Sequence, residues 1–179
     1  MRPCKEFVQK PEDFIVGREG MVMEALILAT AIHDGEKRKT PPYEDYMEHC
    51  IAVASILESW GVTDEDELAA ALLHDAVENH PDQINLEMIG EYFGERVAFL
   101  VDGVTKLKSK DTDNSEFETM IKIVRDSLID AGVARIKLAD RVHNMMTMEG
   151  MKPETQIKKA RETLKVFAPL ALSFGMWEV

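Results

Sequence analysis

Apolar residues recur along the chain at helical spacing, and the alternation typical of β-strands is scarce. In the segment Met21–His33, for example, Val22, Ala25, Leu26 and Ala29 would share one helix face. The same periodicity predicts further helices over residues 46–60, 63–79, 86–93, 94–101, 117–130, 133–148, 155–167 and 168–174. The pattern contains no internal repeat and no low-complexity linker, so it predicts a single all-α domain over residues 1–179.

Glycines and polar stretches set the expected boundaries of these helices. Gly61 is expected to end the second helix, and Thr63 begins a sequence that resembles a capping box for the next one. The stretch Asp34–Pro42 is predicted to be a loop. Lys106–Glu116 lacks apolar periodicity and is predicted to be a mobile loop. Gly132 is expected to stop the helix that precedes it.

The most informative polar residues follow the apolar run 68–73. They are His74, Asp75, Glu78 and Asn79. On a helix, His74 and Glu78 are four residues apart, as are Asp75 and Asn79, so each pair shares a face. Polar groups at the end of a buried helix are unfavourable unless a metal or a partner uses them. The alternative is a helix end that simply meets solvent.

Three more polar residues, His49, Asp140 and Asn144, lie within or just after apolar helical segments. Taken singly, each has a structural explanation, such as a half-buried histidine or an ion pair with a neighbouring basic residue. Together with His74 and Asp75, they supply two imidazoles and two carboxylates. That donor set suits a divalent ion such as manganese, iron or zinc, which would activate water and neutralise phosphate charge.

Composition narrows the class of protein. The 179 residues carry a formal net charge of −12, which argues against a broad surface for nucleic acid or anionic membrane. A small anionic ligand could still bind a local cluster of lysine and arginine. No apolar run approaches the ~20 residues of a membrane span, and residues 1–6 lack the apolar core of a signal peptide. Cys4 and Cys50 have neither disulfide-framework density nor zinc spacing, so a reducing cytoplasm is expected.

Several longer segments, in order along the chain, resemble the HD-superfamily hydrolase domain of the RelA/SpoT alarmone enzymes. The chain is most similar to the small stand-alone hydrolases of that family. The matching segments are Arg38-Lys39, Tyr46–His49, Ala70–Glu78, Phe93–Ala98, Leu100–Leu107, Ile136–Met145 and Glu162–Ala171. In longer members a synthetase domain follows the last segment, whereas this chain stops at Val179, so no synthetase domain is expected.

The resemblance implies an all-α HD-domain bundle that uses Mn²⁺ to remove the 3′-diphosphate of (p)ppGpp. GDP or GTP and pyrophosphate would be the products. The implied metal ligands are His49, His74, Asp75 and Asp140. Glu78 is implied to orient the attacking water or take its proton. The residues implied to face the guanine nucleotide substrate are Arg38, Lys39, Tyr46, Lys106 and Asn144.

Asn79 departs from the family, which usually has Glu-Asp where this chain has Glu78-Asn79. An amide has nearly the shape of a carboxylate but cannot act as a general base. Three interpretations follow. The chain hydrolyses (p)ppGpp, it acts on another phosphorylated nucleotide such as NADPH, or it is a weakly active alarmone-binding module.

The remaining candidates have simpler explanations from the sequence. His33 is expected to have a helix-terminal or hydrogen-bonding role, and His80, which precedes a proline, to lie in a surface loop. His143 flanks Asp140 but is not expected to be a ligand. Arg135 and Lys137 are expected to be solvated or structural.

Overall fold

The computed structural model describes residues 11–39, 43–107 and 112–176. The α-helices are α1 (Pro11–Ile15), α2 (Met21–Ile32), α3 (Tyr46–Ser59), α4 (Glu65–Leu73), α5 (Ala76–Asn79), α6 (Leu86–Phe93), α7 (Glu95–Val104), α8 (Thr112–Ile129), α9 (Ala131–Met146), α10 (Pro153–Glu162) and α11 (Ala168–Ser173). A 3₁₀ turn, Met148–Gly150, precedes α10, and a π-helical turn, Thr163–Phe167, joins α10 to α11. Within these ranges no strand forms, and the all-α prediction is confirmed.

Helix α3 lies at the centre of the bundle and packs against α4 on one side and α9 on the other. Every residue from His49 to Leu57 is buried. Seven of the nine residues of α4, Glu67 to Leu73, are also buried. This arrangement brings the first turn of α3, the end of α4 and the middle of α9 to one place. None of the helices in the described ranges is long and apolar enough to span a membrane.

The polar segment 74–79 does not continue the preceding helix, contrary to the prediction. Helix α4 ends at Leu73, His74 is its C-cap, and Asp75 precedes the short helix α5. The amide of Asn79 still donates to the carbonyl of Asp75 at 2.9 Å, so the four-residue spacing is preserved. The expected cap was also misplaced by one residue, because Asp64, not Thr63, accepts from the amides of Asp66 and Glu67.

Two boundaries in the second half of the chain were also wrong. Helix α8 begins at Thr112, within the segment expected to be a loop, of which residues 108–111 lie outside the described ranges. Gly132 does not stop a helix but lies buried in the first turn of α9. A β-carbon built on Gly132 would lie 2.8 Å from a methyl group of Leu100, so this glycine permits close packing.

Candidate metal centre

The four residues expected to be metal ligands lie together at the meeting point of α3, α4 and α9. One ligand atom each from His49, His74 and Asp140 falls within 4.8 Å of the others. Nε2 of His49 is 3.4 Å from Oδ1 of Asp140 and 3.9 Å from Oδ2 of Asp75. Nε2 of His74 is 3.1 Å from the same oxygen of Asp75. The structure therefore brings all four side chains to one point.

The surroundings of His74 fit a metal ligand. Its Nδ1 is 2.8 Å from the carbonyl oxygen of Ala71, so Nδ1 carries the proton and donates. Its Nε2 is fully buried and makes no well-aligned hydrogen bond among the described residues, although Oδ2 of Asp75 lies 3.1 Å away. A buried polar atom without a partner is rare and calls for a physical explanation. Here the lone pair of Nε2 faces two carboxylates, which is what a divalent ion requires.

The ionisation states of three of the four candidate ligands also fit metal binding. Burial would lower the pKa of the fourth, His74, but the neighbouring Asp75 raises it. Burial would raise the pKa of Asp140, but Lys137 and the two histidines hold it well below its usual range. His74 likewise lowers the pKa of Asp75 against the effect of burial. Burial lowers the pKa of His49, which keeps that imidazole neutral. Ionised carboxylates and neutral imidazoles are the forms that bind metal ions.

A second imidazole supports His49 from behind. Nδ1 of His143 lies 2.8 Å from Nδ1 of His49, on the side away from the carboxylates. Burial and the neighbouring His49 lower the pKa of His143 to about 3, so this ring is neutral. If Nε2 of His49 binds a metal, its Nδ1 carries the proton and donates to His143. His143 therefore acts through a ligand, consistent with the expectation that it is not one itself.

Tyr46 and Asn79 border the centre on the side of α5. The Tyr46 hydroxyl donates to Oδ2 of Asp75 at 2.6 Å and also hydrogen-bonds with the side chain of Asn79. Burial and the adjacent Asp75 raise the pKa of Tyr46, so it stays protonated and remains a donor. Asn79 itself is exposed and lines the cavity in front of the centre.

Glu78 lies on the same wall and forms an ion pair with Lys106, whose Nζ is 2.9 Å from Oε1 of Glu78. Burial would lower the pKa of Lys106, but Glu78 raises it, so the lysine remains charged. This pair joins the two residues that were expected to serve water activation and phosphate contact.

A chain of hydrogen bonds connects the loop before α3 to Asp140. Arg38 donates to Oδ1 of Asn144 at 2.9 Å, and the Asn144 amide nitrogen donates to Oδ1 of Asp140. Lys137 approaches the other oxygen of Asp140 at 3.1 Å. Lys137 is only 6% exposed, so of its two expected roles, solvated or structural, the structure shows the structural one. It is a buried charge paired with a candidate metal ligand.

Most of these groups, among them His49, Asp75 and Asp140, line one cavity of about 870 Å³, and His74 lies behind its wall. Among the described residues on its walls, the basic ones are Arg38, Lys39, Lys106, Lys137, Arg141, Lys152, Lys158 and Lys159. The acidic ones are Glu36, Asp75, Glu78, Asp140 and Glu162. In a chain of net charge −12, a cavity with this excess of basic side chains is suited to a polyanion.

Sequence reasoning missed the basic residues on the far side of the cavity. Lys152, Lys158 and Lys159 come from the start and the middle of α10. Arg141 stacks over the ring of Phe167 at 4.0 Å and pairs with Glu162 at 3.0 Å. These basic residues form no recognisable motif in the sequence. Only the packing of α10 beside the cavity reveals them.

Comparison with known proteins agrees with this geometry. Residues 25–177 match the family model described as HD domain. The chain is 37% identical over 173 residues to a probable guanosine-3′,5′-bis(diphosphate) 3′-pyrophosphohydrolase of Synechocystis, covering 95% of this chain and 22% of that protein. It is 37% identical to the bifunctional (p)ppGpp synthase/hydrolase SpoT of Escherichia coli, covering 94% and 23%. A GTP pyrophosphokinase of Streptomyces coelicolor is 45% identical, covering 88% and 19%.

The chain thus spans about a fifth of the length of these curated relatives. A solved structure of similar size also matches, a metazoan ortholog of SpoT that hydrolyses ppGpp and plays a role in starvation responses. It has a TM-score of 0.69 and 27% sequence identity, and the match covers 89% of this chain and 98% of that one. HD domains are metal-dependent, and the His/Asp cluster is a possible metal site. With the match to its family model covering residues 25–177, the chain belongs to the HD domain family.

Proposed function

We propose that this chain is a manganese-dependent pyrophosphohydrolase that removes the 3′-diphosphate from (p)ppGpp and releases GDP or GTP and pyrophosphate. One observation carries the proposal. The cluster of two histidines and two aspartates opens into a cavity whose walls supply eight basic side chains. The relatives named for alarmone hydrolysis support the same substrate class.

In this proposal His49, His74, Asp75 and Asp140 hold the metal ion. Two imidazoles and two carboxylates suit manganese and leave coordination positions for other ligands. A divalent ion held there would activate a water molecule and neutralise phosphate charge. Asn144 keeps Asp140 in place through its amide, and Tyr46 does the same for Asp75 through its hydroxyl.

Glu78 is the proposed acid/base residue. The water oxygen attacks the phosphorus that is bonded to the ribose 3′ oxygen. The bond between this phosphorus and the 3′ oxygen breaks, the 3′ oxygen is protonated, and pyrophosphate leaves. Glu78 orients the water and accepts its proton, and Lys106 pairs with Glu78 before substrate binds. A single positioned acid/base group of this kind contributes about 10²–10⁴ to the rate.

The basic residues bind the phosphates. Arg38, Lys39 and Lys106 lie on one side of the cavity, while Lys152, Lys158 and Lys159 lie on the side formed by α10. An alarmone carries phosphates on both the 5′ and the 3′ oxygens of its ribose, so basic groups on both sides are required. Asn144 lies between the two sides, where it can contact the ribose or a phosphate.

The test is pyrophosphate release from ppGpp by the manganese-loaded protein, with GDP measured separately. Wild type should release equal amounts of both products. His74→Ala should abolish release, and Glu78→Gln should lower it by about 10²-fold or more. Glu87→Gln, which alters an exposed glutamate on α6, is the matched control and should behave as wild type. Release of orthophosphate instead of pyrophosphate would contradict the proposal.

Asn79 favours one alternative, a module that binds the alarmone and turns it over slowly. Its amide lies on the cavity wall next to Glu78 but cannot accept a proton. Calorimetry with ppGpp separates the two functions. Tight binding with no measurable pyrophosphate release would support the binding module and overturn the proposed hydrolase.

A further inference from the structure

A second group of potential metal ligands lies beside the loop that leads into α3. It consists of His33 at the end of α2, Glu36 in the loop, and His80 just after α5. Oε2 of Glu36 is 2.6 Å from Nδ1 of His33 and 2.8 Å from Nε2 of His80. One ligand atom from each residue lies within 4.8 Å of the other two. The three residues are called the loop cluster below.

We propose that the loop cluster is a second metal site, which binds a divalent transition ion of the zinc class. Two imidazoles and one carboxylate form a ligand set that zinc and iron use in proteins, with remaining positions filled by water or another ligand. None of the three residues belongs to the His49, His74, Asp75 and Asp140 group. The proposal concerns metal binding and holds whether or not the chain hydrolyses an alarmone.

Burial shapes the loop cluster into a site that is closed on one side and open on the other. The side chain of His33 is fully buried, whereas those of Glu36 and His80 are 24% and 22% exposed. An ion can therefore enter from solvent, and water can complete its coordination. Calcium and magnesium are disfavoured, because they prefer oxygen ligands and only one of the three ligands is an oxygen.

The backbone holds the three ligands in place independently. The amide of His33 donates to Ala29 at 2.9 Å, and the amide of His80 donates to Ala76 at 2.9 Å. The amide of Tyr46 donates to the carbonyl of Glu36 at 3.0 Å, which ties the loop to the first turn of α3. A site whose ligands are already positioned loses less conformational entropy on binding an ion.

The tautomers required for metal binding are available. Nε2 of His33 is buried and has no hydrogen-bond partner in the described part of the chain. No donor there occupies the lone pair of Nε2, so the ring proton can move from Nδ1 to Nε2 when Nδ1 binds an ion. Nδ1 of His80 is 3.4 Å from the Gln83 amide, whose oxygen and nitrogen can exchange places to accept a proton instead. Both Nδ1 of His33 and Nε2 of His80 can therefore present lone pairs towards Glu36.

The competing explanation is a hydrogen-bonded clasp, in which one oxygen of Glu36 accepts from both imidazoles. The distances of 2.6 and 2.8 Å are those of hydrogen bonds. Ligands bound at about 2.0–2.2 Å to one ion lie about 3 Å apart or slightly more. The Glu36 carboxylate would therefore move outward by a few tenths of an ångström as an ion replaces the shared protons. The two explanations predict different metal stoichiometries.

The loop cluster adjoins the candidate metal centre through Tyr46. The His33 ring stacks on the Tyr46 ring with centroids 4.8 Å apart, and the hydroxyl of Tyr46 donates to Asp75. Glu36 also lines the cavity, two residues before Arg38. An ion in the loop cluster would hold the loop that places Arg38 against Asn144.

The experiment counts metal ions in the full chain. Protein freed of metal with a chelator is dialysed against Zn²⁺, and bound zinc per chain is measured by mass spectrometry. Wild type should bind two ions. Glu36→Gln and His80→Asn should each bind one, and His74→Ala should also bind one through the loop cluster. The double variant Glu36→Gln with His74→Ala should bind none. Asp34→Asn, an exposed residue of the same loop, is the matched control and should bind two.

A second measurement covers variants that fold poorly. In the His74→Ala background, Zn²⁺ should raise the melting temperature, because a ligand that binds only the native state stabilises it. Adding Glu36→Gln should remove that rise, while adding Asp34→Asn should keep it. One ion in wild type that Glu36→Gln retains, or two ions in both Glu36→Gln and His80→Asn, would overturn the second site and leave the loop cluster as a hydrogen-bonded clasp.

Discussion

His49 is held by a second imidazole. A histidine that binds a metal usually donates its other N–H to a carboxylate, a carbonyl or water. Here the partner is Nδ1 of His143 at 2.8 Å. Because His143 is neutral, it can accept that proton and keep Nε2 of His49 free for a metal. His143, which was not expected to bind the ion, therefore sets the tautomer of a candidate ligand.

Replacing His143 should weaken metal binding without removing a ligand. We expect His143→Ala to lower the affinity for Mn²⁺ by about 10–100-fold, because His49 loses the acceptor that fixes its tautomer. Titration calorimetry in a Glu36→Gln background measures this affinity without a contribution from the loop cluster. His143→Gln, whose side-chain oxygen can accept, should recover part of the affinity. An unchanged affinity in His143→Ala would show that the contact does not support His49.

Asn79 determines how strongly the proposed reaction is catalysed. Asn79→Asp places a group that can accept a proton next to Glu78 on the cavity wall. We expect the rate of pyrophosphate release from ppGpp to rise by about 10²-fold, at the low end of what one acid/base group contributes. The bound metal should not change, because Asn79 is not among the four candidate ligands. An equal or lower rate would mean that losing the hydrogen bond from Asn79 to Tyr46 slows pyrophosphate release at least as much as the added carboxylate speeds it.

The sequence predicted the residues of the centre that belong to local motifs, and the structure brings His49, His74, Asp75 and Asp140 together beside one cavity. It did not predict the partners that only tertiary packing provides. Nothing in the sequence near His143 indicates that its ring meets His49, which is 94 positions away. Lys137 was expected to be solvated or structural, and only the packing shows that it is buried beside Asp140.

At the scale of elements, α7 and α9 approach closely because glycine lies between them. A β-carbon on Gly103 would lie 2.7 Å from a methyl group of Val133. Such a contact forces a shift of buried side chains or backbone, and α9 is the helix that carries Asp140. The close approach of these helices therefore helps to place a candidate ligand.

Gly103→Ala should destabilise the fold. We expect the free energy of unfolding in urea to fall by about 1–3 kcal/mol, the usual effect of overpacking a core. Gly90→Ala on α6 is the matched control, because the nearest atom to its added β-carbon is 3.5 Å away. In that variant, alanine should stabilise the helix by about 0.5–1 kcal/mol relative to glycine. Equal effects of the two substitutions would rule out the packing explanation.

Asp130 links the start of α9 to the pH dependence of stability. It caps α9 by accepting from the amide of Gly132 at 2.8 Å, and Arg96 donates to it at 2.8 Å. Burial would raise the pKa of Asp130, but Arg96 and the Gly132 amide lower it. Its carboxylate therefore stabilises the fold at pH values above the unfolded pKa of about 3.9, and this stabilisation is lost as the pH falls through the lower pKa of the folded state.

Asp130→Asn keeps an oxygen for the cap but loses the charge. We expect the variant to be less stable than wild type at pH 7, with the difference shrinking as the pH falls below about 4. Urea unfolding at a series of pH values measures it. Asp82→Asn, at an exposed turn, is the control and should follow wild type throughout. A constant difference between Asp130→Asn and wild type at all pH values would contradict the role of the charge.

Helix identity was predictable from periodicity, whereas several helix ends were not. The range Leu86–Phe93 was predicted as observed, because Gly94, with φ +93°, ends it sharply. The start of α8 was missed because residues 112–116 are polar. In the structure Ser115 donates to the carbonyl of Leu107, a contact that hydrophobic periodicity does not reveal.

At the scale of the whole molecule, charge is separated between the cavity and the rest of the chain. The net charge of −12 repels polyanions from most of the surface, and the basic cavity concentrates the attraction at one place. This separation is suited to a small polyanion, and the expectation from composition that the chain does not bind extended nucleic acid stays a prediction. The basic wall formed by α10 is the part of the separation that the sequence did not reveal.

Lys159 provides the test at this scale. Burial and the nearby Arg141 lower its pKa, so the ammonium lies where an added anion would stabilise its charge. We expect Lys159→Gln to weaken ppGpp binding by about 10–100-fold, because hydrogen bonds to charged groups contribute roughly 1.5–3 kcal/mol. Calorimetry at two salt concentrations should also show a smaller salt dependence for this variant. Lys165→Gln alters an exposed lysine that does not line the cavity, and this variant should bind as wild type does. If both variants lose affinity equally, the attraction comes from overall charge rather than from the cavity.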